Sequence, residues 1–201
     1  MFPNKIDSAY IERTIKRICQ GDILRDVSIV DWNYEKEIIE LDLPYIIVMT
    51  QDCDLERDFY NRSQINPKTH DKFLQNILVS PAYDAMKFRD GQHLIKFELT
   101  MENWNSDNYK RIKDQNNARF HFLESDLELQ VPDLVIDFKH YYTIPRDTLY
   151  KMYADHYLAT INQLFRECLS QRFASYLSRI GLPVLEKRID SKSTLPTTST
   201  S

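Results

Sequence analysis

The stretch Leu43-Pro44-Tyr45-Ile46-Ile47-Val48-Met49-Thr50 decides how this chain must fold. It is continuously apolar and rich in β-branched side chains, which predicts a strand covered on both faces. Pro44 stands at its start, where a missing N–H does least harm. Such a strand needs partners beside it and layers above and below. Asn76-Ile77-Leu78-Val79-Ser80 reads as a second buried strand, stopped by Pro81. Upstream, Ile23 to Val30 and Glu37 to Leu41 read as two further strands. Arg119-Phe120-His121-Phe122-Leu123 and Leu134-Val135-Ile136-Asp137-Phe138 alternate strictly, which predicts half-buried strands. Leu94 to Leu99 alternates more weakly and would pair with 76–80 across the Asp90-Gly91 turn region.

Helical periodicity flanks this β-rich centre. Asp7-Ser8 reads as an N-cap, and Tyr10, Ile11, Thr14, Ile15 and Ile18 predict an amphipathic helix over 8–20, closed by Gly21. Residues 101–117 are polar, with Lys110, Arg111 and Lys113 close together, and read as a solvated helix or long loop. Pro145 opens a helical part. The last helix, over 162–180, carries Phe165, Cys168, Leu169, Phe173, Tyr176, Leu177 and Ile180 as one stripe and ends at Gly181 and Pro183. Beyond Glu186 a Ser/Thr/Pro-rich tail has too little apolar content to offset its ordering entropy, which predicts disorder over 186–201. The sum is an α+β fold. A small, mostly antiparallel sheet or barrel over about 21–140 carries an N-terminal helix and a helical part over about 145–182, all in one domain over 1–185.

Composition excludes several function classes. Three glycines in 201 residues, far apart at Gly21, Gly91 and Gly181, leave no G-x-G-x-x-G, no Walker A loop and no G-x-S-x-G elbow. Zinc-finger, HExxH and CxxC patterns are absent. Cys19, Cys53 and Cys168 are an odd number at wide spacing, so a disulfide framework is not expected. No basic and apolar leader opens the chain, and its longest apolar run is far short of a membrane span, so the expectation is a cytoplasmic protein without a membrane. Net charge is -4, unevenly spread: from Asp22 to Asp58 there are eleven acidic and three basic residues. That asymmetry points to a basic partner, a metal or a second copy of the chain rather than to general nucleic-acid binding.

Chemistry has two candidate places. Thr50-Gln51-Asp52-Cys53-Asp54-Leu55-Glu56-Arg57-Asp58 directly follows the best strand. If the strand continues, Asp52 and Asp54 share a face and offer two hard oxygen ligands to Mg²⁺ or Mn²⁺. If a helix begins, one of them is a cap and Glu56 sits in the first turn. Cys53 reads as a buried structural thiol rather than a nucleophile. The second place is the polar face of two strands, where Arg119 and His121 would meet Asp137 and Lys139, with His140 nearby. That set is suited to acid–base work or phosphate binding, and equally to a solvated face. Asp137-Phe138-Lys139 also matches the D/E-x-K element of restriction-type nucleases, but Asp190-Ser191-Lys192 matches it too. Gln51, Glu56 and Asp58, together with Arg172 and Arg179 on the last helix, are the candidate partner-binding residues, the helix serving either as packing or as a dimer face.

Two resemblances add to this. Gly21-Asp22-Ile23, then Leu43-Pro44 before Ile46-Ile47-Val48-Met49-Thr50, then Ile77-Leu78-Val79-Ser80-Pro81 is similar in order to PemK-type endoribonuclease toxins, over residues 21–81. Leu43 stands where that family has arginine, and 51–58 is acidic where an RNA-cleaving member is basic, so the resemblance implies the SH3-like barrel. Separately, Gln51-Asp52-Cys53-Asp54-Leu55, Arg119-Phe120-His121-Phe122-Leu123, Ile136-Asp137-Phe138 and Arg179-Ile180-Gly181-Leu182-Pro183 resemble an uncharacterised group of bacterial and phage-associated proteins. The leading expectation is an intracellular protein-binding or regulatory module, as in toxin–antitoxin or phage-defence systems, with no cofactor. The alternative is a metal-dependent phosphodiesterase or nuclease using Asp52 and Asp54, with His121 as base. A toxin-like RNA binder is a third reading.

Overall fold

Around the decisive strand the chain builds one antiparallel sheet. The computed structural model describes residues 8–14, 16–32, 35, 37–66 and 68–179. In chain order these form β1 (Tyr10–Ile11), β2 (Asp22–Trp32), β3 (Ile38–Val48), α1 (Asp52–Arg62), β4 (Asn76–Asp84), α2 (Ala85–Arg89), a 3-10 turn (Ile95–Phe97) and α3 (Ser106–Lys113). Then follow β5 (Phe120–Leu123), β6 (Leu134–Asp137), β7 (Tyr142–Pro145), α4 (Arg146–His156), β8 (Tyr157–Ile161) and α5 (Gln163–Leu177). The strand order is β1-β8-β2-β3-β4-β6-β5, with β7 also on β4. The sheet curls into a half-barrel, and the fold is α+β. No helix among the described residues is long and apolar enough to cross a membrane.

From Ile46 to Val48 strand β3 is dry on both faces, as the composition of that stretch requires. Ile47 and Met49 pack toward α5, against Leu169 and Phe173. Ile46 and Val48 pack on the other side with Leu55 of α1 and with Leu149 and Tyr153 of α4. Each such aliphatic side chain contributes roughly 1.5–3 kcal/mol when fully removed from water. A third cluster, of Phe88, Ile112, Phe120 and Phe122, seats α2 and α3 on the β5–β6 end.

Prolines mark where the ladder changes. The segments expected as two strands at 37–41 and 43–50 form one, so Pro44 lies inside β3. Opposite it, Asp26 takes a left-handed φ of +54°. Regular pairing passes from Arg25–Tyr45 directly to Val27–Leu43, giving up the pair that would have used the missing donor. Nor does Pro81 stop β4. That strand pairs β7 over Asn76–Val79 and β6 over Ala82–Asp84, and Pro81 falls in the gap between, where its missing N–H removes no bond to either. The Ser80 hydroxyl closes the gap by donating to the His140 carbonyl at 2.9 Å.

Four expectations are corrected by packing. The N-terminal segment is not a helix: Tyr10 is buried on the α5 side of the sheet and Ile18 on the α4 side, whereas one helical stripe would have put both on the same side. Gly21 still takes a positive φ, +83°, but as a turn into β2. Residues 94–99 form a 3-10 turn rather than a strand, with Glu98 left-handed at +58°. Strands β5 and β6 are fully buried, because α3 covers one face and α5 the other. In α5 only Leu169 and Phe173 of the expected stripe are buried, while Phe165, Cys168 and Leu177 are exposed. Ile180, Gly181, Pro183 and the tail lie outside the described residues.

Candidate functional site

The acidic segment after β3 is helical. Gln51 occupies the N-cap position without a side-chain bond, and Asp52 and Asp54 stand in the first turn of α1. Acids there are favoured by the unpaired N–H groups of the helix start. Two residues apart on a helix, they project in different directions rather than to one face. Both Asp52 oxygens accept from Arg17, at 3.0 Å each, and Oδ1 also accepts from the Gln20 N–H at 3.2 Å. Burial would raise this carboxyl's pKa, but the Arg17 bonds and charge hold it below the usual carboxylate range. A divalent cation here would have to displace Arg17. Asp54 is half-exposed, with Arg57 at 3.8 Å, and Cys53 is exposed rather than buried. No group of three or more His, Cys, Asp or Glu side chains able to hold a metal occurs among the described residues.

Several candidates for a partner surface are used inside the fold. Asp58 is 1% exposed and accepts from Arg62, Arg146 and the Leu74 N–H at 2.7, 2.8 and 2.9 Å. Arg172 donates to the carbonyls of Gln115, Asn117 and Phe120. Together with the Gln115 amide, which donates to the Phe122 carbonyl at 2.6 Å, it closes the outer edge of β5. Gln51, Glu56 and Arg179 are exposed, Arg179 lying over the Tyr176 ring.

The second candidate set divides between the two faces of the sheet. Strands β5 and β6 do pair, Phe120 opposite Asp137 and His121 opposite Ile136. Arg119 grips Asp137 through two bonds, and the Lys139 N–H adds a third at 3.0 Å, while the Lys139 side chain is exposed. His121 turns the other way, under α5. It packs on Phe138, its Nδ1 is buried without a partner, and burial with the nearby Arg172 charge pushes its pKa down to about 3. The base of the nuclease reading is therefore remote in orientation from Arg119 and Asp137.

A different group gathers on the Asp137 side. His140 Nε2 lies 3.8 Å from Asp137, and its Nδ1 shares a 3.1 Å hydrogen bond with the Tyr83 hydroxyl. Tyr83 and Phe88 pack against the ring of His93, at 4.9 and 4.8 Å between centroids, and both His93 nitrogens are buried without a partner. Burial, reinforced by His140, lowers the His93 pKa to about 4. Burial likewise lowers His140 and raises Tyr83, so this group is uncharged at neutral pH apart from the Arg119–Asp137 pair.

Tyr83 and His93 form the floor of a cleft of about 620 Å³. Its origin is a fork in the sheet. Beyond the Tyr45–Ala82 pair, β3 continues beside β2 whereas β4 follows β6 through Tyr83 and Asp84. One wall carries Asp26, Ser28, Asp42 and Tyr45; the other carries Asp84, Lys87, Ile95 and Lys96. The size and mixed lining suit a ligand or a peptide segment. At the mouth, Lys96 Nζ reaches Asp42 at 3.4 Å, and Ser28 donates to the same carboxylate at 2.9 Å, which together hold its pKa low. Sequence reading missed this site. Its residues come from four separate segments with no motif spacing, and the weak alternation at 94–99 assigned one wall to a strand.

No protein-family model, curated protein or solved structure matches the chain. The functional reading therefore rests on this geometry.

Proposed function

We propose that the protein is a binding module that takes a protein partner in the cleft at the β3–β4 fork. The observation that carries this reading is the cleft itself, open, part apolar and net acidic, beside a strand whose outer edge no strand among the described residues pairs over Ile38 to Leu43. The acids that a metal-dependent phosphodiesterase would need favour it further, since Arg17 holds Asp52 in a fork and Asp54 points elsewhere. The reading does not depend on whether the half-barrel is of the SH3-like kind.

A photo-crosslinking residue placed at Ile95, exposed on the cleft wall, tests it in cells that express the protein naturally. The same residue at Leu127, exposed on the Asp126–Val131 loop, is the control. The expected outcome is an adduct of discrete mass from position 95 alone, lost when Asp42→Lys reverses the charge at the mouth. Equal labelling at both positions, or no adduct at 95, would refute the assignment.

A further inference from the structure

We propose that the partner enters the cleft as an extended strand with basic side chains and pairs with the free edge of β3 over Ile38 to Leu43. This rests on the binding reading and goes further, because it fixes the partner's conformation and charge. Strand β3 is eleven residues long, but β4 pairs only Tyr45 to Val48. From Ile38 to Leu43 it pairs β2 on one side, and no strand among the described residues pairs it on the other. An edge of this kind presents a row of unpaired N–H and C=O groups, which is a template for a further strand. The contrast with β5 is direct, since there Gln115 and Arg172 close the edge. Over six residues the β3 edge spans roughly 20 Å, enough for a peptide of similar length.

The charge of the occupant follows from the walls. Three carboxylates line the cleft, Asp26 and Asp42 on one wall and Asp84 on the other, against the two lysines Lys87 and Lys96. The ammonium of Lys96 resting on Asp42 shows the kind of group this mouth accepts; both side chains are largely exposed, so the pair is weak and readily exchanged. Apolar side chains have places as well. Val30 is 71% exposed and Ile38 65% on the β2–β3 arm, and Ile95 is 68% exposed across the cleft. A second copy of the chain fits poorly, because antiparallel β3–β3 pairing centred on Leu41 would set Glu40 of each copy against Asp42 of the other.

The test pans a phage-displayed library of random 12-residue peptides on the whole chain and measures the selected peptide by fluorescence anisotropy. Two backbone-modified versions follow, each N-methylated on one alternate set of amides. We expect selected peptides in which Lys or Arg alternates with apolar residues. One methylated set should weaken binding about tenfold or more while the other leaves it nearly unchanged, the asymmetry that strand pairing requires. Amide exchange should slow at 38–43 on binding, and Asp42→Asn should reduce affinity several-fold. If a selected peptide competes with the Ile95 crosslink yet tolerates both methylated sets, strand addition is overturned and the cleft reading survives. If no selected peptide competes with that crosslink, or the selected peptides are acidic, the proposal falls. Protection of 38–43 in the chain alone, with a dimer by light scattering, would make a second copy the occupant and would also overturn it.

Discussion

Lowering the pH should destabilise this protein through His121, and the size of the effect follows from its burial. The residue is 4% exposed, lies between β5 and α5 with Arg172 nearby, and has its pKa pushed down to about 3. The unfolded chain takes up a proton near pH 6.5 that the folded imidazole refuses. Stability is therefore complete above about pH 6.5 and falls as the pH drops toward 3, by about 1.4 kcal/mol per pH unit. Between pH 7 and pH 5 that is a loss of about 2 kcal/mol from His121 alone. His93, lowered to about 4, adds a loss of the same sign over the same window. Urea denaturation of the wild type and of His121→Leu at the two pH values isolates the term. The variant should lose about 2 kcal/mol less than the wild type across the interval. At pH 7 it should be near neutral, since leucine removes a buried unpartnered nitrogen. Equal losses in the two proteins would refute the argument and place His121 in contact with water.

Asp58→Ala should cost about 3–5 kcal/mol in the same assay, because it leaves Arg62 and Arg146 without their shared buried carboxylate. Asp54→Ala on the exposed side of the same helix should stay within about 0.5 kcal/mol. Gly91→Ala should cost about 1–3 kcal/mol, read as a lowered Tm, because φ is +68° and a Cβ would meet the Met101 carbonyl and Asn103. Mg²⁺ or Mn²⁺ in millimolar excess should leave Tm unchanged in both the wild type and Asp54→Asn. A cation at 100 times its Kd would stabilise by about 2.7 kcal/mol, and a shift of that size abolished by Asp54→Asn would return the acidic segment to metal chemistry.

The sheet was legible where side-chain pattern alone determines structure. The run from Tyr45 to Thr50 and the run from Asn76 to Ser80 are too apolar and too β-branched to sit anywhere but between two layers, and they pair as β3 and β4. The helix over 163–177 was legible by its period. What failed were segments whose apolar residues serve different cores. Tyr10 and Ile18 share a helical stripe on paper but are drawn to opposite faces of the sheet, a tertiary preference that overrides a marginal helix. Alternation in β5 and β6 indicated one wet face, yet no local pattern announces that α3 and α5 will cover both. The same limit hid the cleft. Asp26, Asp42, Tyr83 and His93 become neighbours only because β3 and β4 part company after the Tyr45–Ala82 pair, and nothing near any one of them records that fork.

The fold also changes what the acidic half of the chain means. As a sequence, Asp22 to Asp58 suggests one charged surface. In the structure, three of its carboxylates are committed to arginines. Asp22 is completely buried and accepts from Arg13, Thr160, Tyr153 and the Cys19 N–H. Asp52 is held by Arg17, and Asp58 by Arg62 and Arg146. Buried pairs of this kind add little net stability but penalise any arrangement that separates them. Three of them join different elements: Arg13 ties the N-terminal segment to β2, Arg17 ties it to α1, and Arg146 ties α4 to α1. With those charges neutralised in place, acid left for a partner lies on the β2–β3 arm, at Asp26, Glu40 and Asp42, beside the stretch of β3 that no further strand pairs among the described residues. A field located there steers a basic segment toward the fork before any contact forms, so raising the salt concentration should slow its association more than it speeds its release.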